Sequence, residues 1–221
     1  MTDTYYEDEF VTLYCGDCLD HPEWWTAADV LITDPPYGIG GSLNFHKAGR
    51  VVPTFAQQTW DATLEVRDRA LDLWGDRPAA IFGSPRRLDG APPYREVPLI
   101  WDKGNIVAMG DISFPWRPNY ELIYISGPGW HGHRDTAVVH CEHHTNAARD
   151  IGHPTPKPIQ LMEHLVRKSP EGVIADPFTG SGSTLIAAKM AGRRAIGVEI
   201  SEEYCEIAAN RLAQDALDFE G

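Results

Sequence analysis

The sequence predicts an α/β fold, a doubly wound and mostly parallel sheet, on three observations. Residues 173–200 pass through a short β-branched segment, a glycine turn at Gly180 and Gly182, an alanine-rich helical segment ended by Gly192, and a second apolar segment containing Glu199. That is the pattern of a strand-turn-helix-strand unit. Residues 28–33 form an apolar run of strand length that ends on Asp34 and a proline pair, and open α/β sheets carry their chemistry at the carboxyl ends of such strands. Between these two stretches, short apolar runs alternate with polar turns. A chain of 221 residues suffices for one well-buried domain, 1–221, with little room for a second.

In order along the chain, residues 10–19 give a short strand and a turn carrying Asp17. After the strand at 28–33, a glycine-rich stretch from Gly38 to Ser42 reads as a loop that continues to Trp60. A helix is expected over 64–74, with Leu64, Leu71 and Trp74 near one face. Strands follow at 79–83, 97–101 and 119–126. Residues 127–152 hold several glycines and His131, His133, His140, His143 and His144. Pro158 then opens a helix over 159–168. The last helix, 202–217, puts Tyr204, Ile207, Ala208 and Leu212 on its apolar face.

Composition narrows the function. No apolar run approaches the roughly 20 residues of a membrane span, and the acidic N-terminus lacks a signal-peptide pattern, so a cytoplasmic protein is expected. The four cysteines are too few and scattered for a disulfide framework. Cys15 and Cys18 have C-x-x-C spacing without a second pair to complete a zinc site, and they read as buried free thiols. The histidines near Cys141 lack the second cluster that a tetrahedral metal would need, so no metal is expected. The net charge of -13 argues at first against nucleic acid. Its distribution softens this, because residues 1–46 carry nine acids and no lysine or arginine, whereas 47–194 carry 18 bases against 16 acids. A weakly basic middle between acidic ends is compatible with DNA contact on one face.

The glycine turn and the acid point to a nucleoside site. Gly180 and Gly182 let the backbone approach a ligand closely, and Glu199, at the tip of the next strand, is placed to accept both ribose hydroxyls. A triphosphate loop would need a lysine where Ser183 and Thr184 follow Gly182, and a dinucleotide fingerprint would need a glycine or alanine at Leu185. Neither phosphate motif fits.

Asp176-Pro177-Phe178-Thr179-Gly180-Ser181-Gly182-Ser183-Thr184 followed by Val198-Glu199, with Asp34-Pro35-Pro36-Tyr37 upstream, resembles the amino-directed DNA methyltransferases. It is most similar to the group whose acceptor motif precedes the cofactor motif. The resemblance covers roughly residues 11–212 and implies a Rossmann-like methyltransferase in permuted motif order, using S-adenosylmethionine and no metal. It implies cofactor contacts from Asp17, Asp34, Thr155, Lys157, Asp176, Phe178, Gly180, Ser181, Gly182, Ser183, Thr184 and Glu199, with Asp17 beside the adenine and Thr155 and Lys157 near the methionine moiety. It makes Asp34, Pro35, Pro36 and Tyr37 the catalytic set. An exocyclic amine is a poor nucleophile because its lone pair is delocalised into the ring. Hydrogen bonds to the Asp34 carboxylate and the Pro35 carbonyl would localise that pair, while Tyr37 stacks on an extruded base. Residues 38–41 would form a lid over the base.

The family position implies that 127–152 is a short target-recognition insertion, leaving a relaxed target or help from a second copy, as in a homodimer. Arg86, Arg87, Arg95 and Lys103 fall in loops and are the expected phosphate contacts. The aspartate form of the tetrapeptide leans towards adenine N6 within the family. Cytosine N4, RNA or a protein amide as acceptor, and a non-catalytic DNA-binding module, are the alternatives. A place in a restriction-modification system is a further implication of the resemblance.

Overall fold

The computed structural model describes residues 4–38, 46–47, 50–51, 63–88, 91–95, 97–104, 115–116, 118–142, 151–152 and 156–218. Its strands are β1 (Thr4–Glu7), β2 (Val11–Cys15), β3 (Val30–Thr33), β4 (His46–Lys47), β5 (Arg50–Val51), β6 (Ala79–Gly83), β7 (Leu99–Asp102), β8 (Tyr120–Ser126), β9 (Val138–His140), β10 (Ile174–Asp176) and β11 (Ala195–Glu199). The helices are α1 (Glu65–Trp74), α2 (Ile159–Lys168), α3 (Ser183–Met190) and α4 (Glu202–Asp218).

Nine strands form one sheet in the order β1-β2-β11-β10-β3-β6-β8-β7-β9, and β4 and β5 form a separate hairpin. The five strands β2, β11, β10, β3 and β6 are mutually parallel. β8 runs antiparallel between β6 and β7. The fold is therefore Rossmann-like and mostly parallel, as the sequence predicts. The centre is buried on both faces, which is why β3, β6 and β10 read as continuous apolar runs without alternation. Successive side chains still divide between the faces. Val30 and Ile32 join the core under α2, α3 and α4, and Leu31 joins the opposite core with Trp25, Ala70 and Trp74.

Several expected boundaries hold, including 79–83 and 159–168. Three features were missed. β1 pairs antiparallel on one edge, β9 adds a three-residue strand beside β7 within the 127–152 segment, and the β4–β5 hairpin lies in the stretch read as loop. All are short edge or hairpin strands whose pairing supplies what their sequence pattern does not.

The turn after β8 shows how tightly the sheet's ends are closed. Gly127 has φ of 68° and its absent Cβ would lie 2.5 Å from the Pro78 Cα. The expected outcome of Gly127→Ala is a loss of about 2–4 kcal/mol, from left-handed strain plus a backbone collision that no rotamer relieves. Urea unfolding would read it as a lower midpoint at unchanged slope.

Candidate active site

β10 lies between β11 and β3, parallel to both. The chain leaves β10 towards β11 through α3 and leaves β3 towards β6 through α1, so connections diverge at this pair. Such a switch point opens a crevice beyond the strands' carboxyl ends. Asp34 follows β3, and the glycine turn follows β10 at the same end. The two tips are bonded directly, because Thr33 Oγ1 donates to Asp176 Oδ1 at 2.7 Å across 143 residues of sequence.

The β10 tip is a preformed cradle. Gly180 and Gly182 have φ of 53° and 83°, conformations that L side chains rarely adopt. Thr179 N–H donates to the Val198 carbonyl at 3.0 Å and Gly182 N–H to the Thr179 carbonyl at 3.0 Å. Arg211, on α4, donates to the Ser181 carbonyl. Glu199 accepts the Gly180 N–H at 2.8 Å on one oxygen and the Ser201 N–H at 2.9 Å on the other. A carboxylate offers about four acceptor sites, so each oxygen keeps capacity for a further donor. Burial holds the Glu199 carboxyl above the usual glutamate value, against the backbone N–H groups that favour its charge. Ser183 Oγ, at the first turn of α3, is the one buried side-chain polar atom without a partner among the described residues. An acid with spare acceptors, an unsatisfied hydroxyl and a glycine turn suit a nucleoside ligand. Phe178 is half-buried beside them. Asp17, at the end of β2, accepts the Leu19 N–H at 2.8 Å, and the adjoining Gly16 N–H donates to the Glu199 carbonyl at 2.9 Å.

Asp176 supports this cradle from beneath. Its carboxylate accepts from Thr33, Thr184 and the Phe178 N–H. Burial pushes its pKa up to about 6, against those three hydrogen bonds. A carboxyl with a raised folded-state value makes the fold more stable when protonated, so its contribution is lost as pH rises from about 4 to 6. Asp176→Asn removes the titration. Relative to this variant, the wild type is expected to lose about 3 kcal/mol across that window, measured as the difference in denaturant unfolding at pH 4 and pH 7.

On the β3 side, Pro35 and Pro36 are buried and Asp34 and Tyr37 half-buried. Tyr37 donates its hydroxyl to Asp34 and lies 3.4 Å from Glu121 Oε2. Burial, then the charges of Asp34 and Glu121, hold its pKa well above the usual tyrosine value, so the hydroxyl stays protonated. Lys157 donates to the other Asp34 oxygen and lies 3.4 Å from Glu121. It is expected from sequence to meet the cofactor. The extended segment before α2 brings its ammonium onto the β3 tip, among the rings of Phe82, Tyr37 and Trp101 at 5.1, 5.9 and 6.0 Å. Thr155 and the loop residues 39–41 lie outside the described residues, as do His143 and His144. The other histidines of that segment go to separate carboxylates, His131 to Glu171, His133 to Asp135 and His140 to Asp102. All four cysteines are free.

The expected phosphate contacts are dispersed. Arg86 is exposed beyond β6, at the crevice end. Arg87 donates to the Gly38 carbonyl at 2.7 Å, at the start of the glycine loop. Lys103 is turned inward onto Glu121. Arg95 bonds the Gly127 carbonyl at 3.3 Å. Because β8 runs antiparallel, that position is at the far end of the sheet from Asp34. Glu121 was read only as part of a strand. An acid inside the run Tyr120-Glu121-Leu122-Ile123-Tyr124 was the available signal, since acids are seldom buried unless paired.

Comparison with known proteins places the chain in a family. The signature of the N6/N4 DNA methylases matches residues 71–210, and the chain belongs to this DNA methylase family. It is 28% identical over 258 residues to the type II methyltransferase M.ScaI of Streptomyces caespitosus, covering 96% of this chain and 84% of the relative. In fold it is similar to M1.HpyAVI in complex with S-adenosylmethionine, at TM-score 0.66 and 21% identity, covering 91% of this chain and 98% of the other. It is also similar to the cytosine-N4-specific PvuII DNA methyltransferase, at TM-score 0.62 and 16% identity, covering 95% and 88%. Among the described residues no helix is long and apolar enough to cross a membrane.

Proposed function

We propose that this chain transfers the methyl group of S-adenosylmethionine to the exocyclic amino nitrogen of a base in DNA, with adenine N6 as the favoured acceptor. The observation that carries this is the adjacency of the Asp34 tip and the glycine cradle on neighbouring parallel strands, bonded through Thr33 and Asp176. When bound, the cofactor supplies an electrophilic sulfonium methyl.

The chain's own residues do the rest. Glu199 accepts the ribose hydroxyls with the acceptor sites its backbone partners leave free, while Gly180 and Gly182 admit close approach of the ligand. Asp17 lies near the adenine, and Ser181, Ser183, Thr184 and Phe178 line the remainder. Asp34 and the Pro35 carbonyl accept hydrogen bonds from the target amine, so its lone pair is less delocalised and turns towards the methyl. The buried proline pair fixes that carbonyl. Tyr37 presents its ring to the extruded base. Holding nitrogen and methyl in line supplies much of the rate. Arg86 is the phosphate contact best placed at the crevice end, and Arg87 holds the Gly38 carbonyl just after Tyr37. Residues 127–152 act as a short recognition segment of a single domain.

Incubation of the purified protein with methyl-labelled S-adenosylmethionine and, separately, DNA, RNA and protein tests the reading. Label is expected in DNA, and nucleoside digestion is expected to give N6-methyladenine. N4-methylcytosine would move the acceptor assignment, and label only in RNA or protein would overturn it.

A further inference from the structure

Behind Asp34 lies a charged chain that the transfer reaction does not by itself require. Lys157 sits between Asp34 and Glu121, and Lys103 closes on the other oxygen of Glu121. The side chains are largely buried, with exposures of 8% for Lys157, 15% for Glu121 and 19% for Lys103. Two acids and two bases thus alternate across β3, β8 and the end of β7, and their formal charges cancel. Buried charges are tolerated only in such paired arrangements.

Resting on the methyl-transfer reading above, we propose that Glu121 is a positioning residue for the reaction. By sharing the Lys157 ammonium with Asp34, and by being neutralised in turn by Lys103, it keeps Asp34 from being saturated in a closed ion pair and leaves acceptor directions for the incoming amine. The geometry supports this directly. Asp34 already receives the Tyr37 hydroxyl on one oxygen and Lys157 on the other. Both donors also face Glu121 Oε2, each at 3.4 Å. Without the Glu121 carboxylate, a buried ammonium with three N–H donors and a protonated phenol would have one carboxylate left to satisfy them. The target amine would then compete for the same lone pairs.

Electrostatics run the same way. Burial would push the Lys157 ammonium down, but the charges of Asp34 and Glu121 outweigh it and leave Lys157 above the usual lysine value. Burial would raise Glu121, and Lys157 and Lys103 outweigh it to hold the carboxyl below the usual value. Among the described residues, the other charged groups near the cluster include Asp176 on β10, bonded to Thr33 beside Asp34, and Asp102 on β7, paired with His140.

The test is the pH dependence of kcat in two variants that perturb Lys157 in opposite directions. Glu121→Gln removes one of its two counter-charges. The expected result is a kcat lower by about tenfold or more at neutral pH, with the cofactor KM within about twofold. A new alkaline limb, in which kcat recovers, should also appear at lower pH than any in the wild type, because Lys157 loses its proton earlier and then releases the Asp34 lone pairs. Lys103→Met removes a like charge from the neighbourhood and is expected to produce no such limb. Glu121→Asp should restore the wild-type profile in part.

A Glu121→Gln kcat reduced by one factor at every pH, an unchanged kcat, or the same alkaline limb in Lys103→Met would overturn the proposal. Lysine ε-carbon NMR of the full chain, with the Lys157 signal identified by its loss in Lys157→Met, reads the same linkage without turnover. Lys157 is expected to titrate at lower pH in Glu121→Gln than in the wild type, and an unchanged titration overturns the proposal. If the wild type methylates no DNA, the functional reading fails while this titration still decides the role of Glu121. If Glu121→Gln fails to fold, the Lys103→Met and Glu121→Asp titrations decide it, a fall in Lys157 in Lys103→Met counting against.

Discussion

Replacing Asp34 with alanine is expected to lower methyl transfer by on the order of 10²–10⁴-fold while cofactor binding stays measurable. The reason is positional. Asp34 stands at the β3 tip, and its neighbour Thr33 joins that tip to the cofactor cradle through a hydrogen bond to Asp176. Removing its carboxylate therefore takes away the acceptor that turns the amine's lone pair outward and leaves the ribose and glycine-turn contacts in place. Single-turnover transfer and calorimetric binding, measured on the same preparation, separate the two effects. Loss of binding in parallel with loss of transfer would mean that Asp34 belongs to the cradle. Asp34→Asn is the control for packing, since it keeps the shape while removing the charge that Lys157 is paired with.

Glu199 should give the converse pattern. Glu199→Ala is expected to weaken cofactor binding by about 10–100-fold, the value of one or two hydrogen bonds to a charged acceptor. The turnover number at saturating cofactor should remain within several-fold of the wild type. Part of the loss comes from the turn itself, because the same carboxylate holds the Gly180 and Ser201 N–H groups. Glu199→Gln tests that division. Its amide oxygen can keep one of those bonds, while its NH2 cannot accept the other. Titration calorimetry and a turnover series against cofactor concentration check both expectations.

The central fold was legible because its strands are buried on both faces and announce themselves as uninterrupted apolar runs ended by chemically distinctive residues. Ile174–Asp176 and Ala195–Glu199 frame the glycine turn, and Val30–Thr33 delivers Asp34. The periphery was not legible. Val138–His140 is exposed at two of its three positions and becomes a strand only by pairing with β7. Within the candidate site, the motifs single out Asp34, Lys157 and Glu199 but carry no sign of the side chains they meet. The Lys157–Asp34 pair is not legible, because nothing local shows that Pro156 to Pro158 passes beside a strand tip 123 residues upstream. Lys103 looked like a surface base because its partner, Glu121, reaches it only through antiparallel pairing of β7 with β8. Such pairings follow from strand order, which a local pattern does not carry.

The neighbourhood of β3 and β10 also bears on how the protein is made. A ribosome delivers Val30–Thr33 long before Ile174–Asp176, so one flank of a strand that is wholly buried in the finished fold stays unpartnered through most of synthesis. Chains interrupted before residue 173 would retain that bare flank and are expected to self-associate rather than persist as working halves.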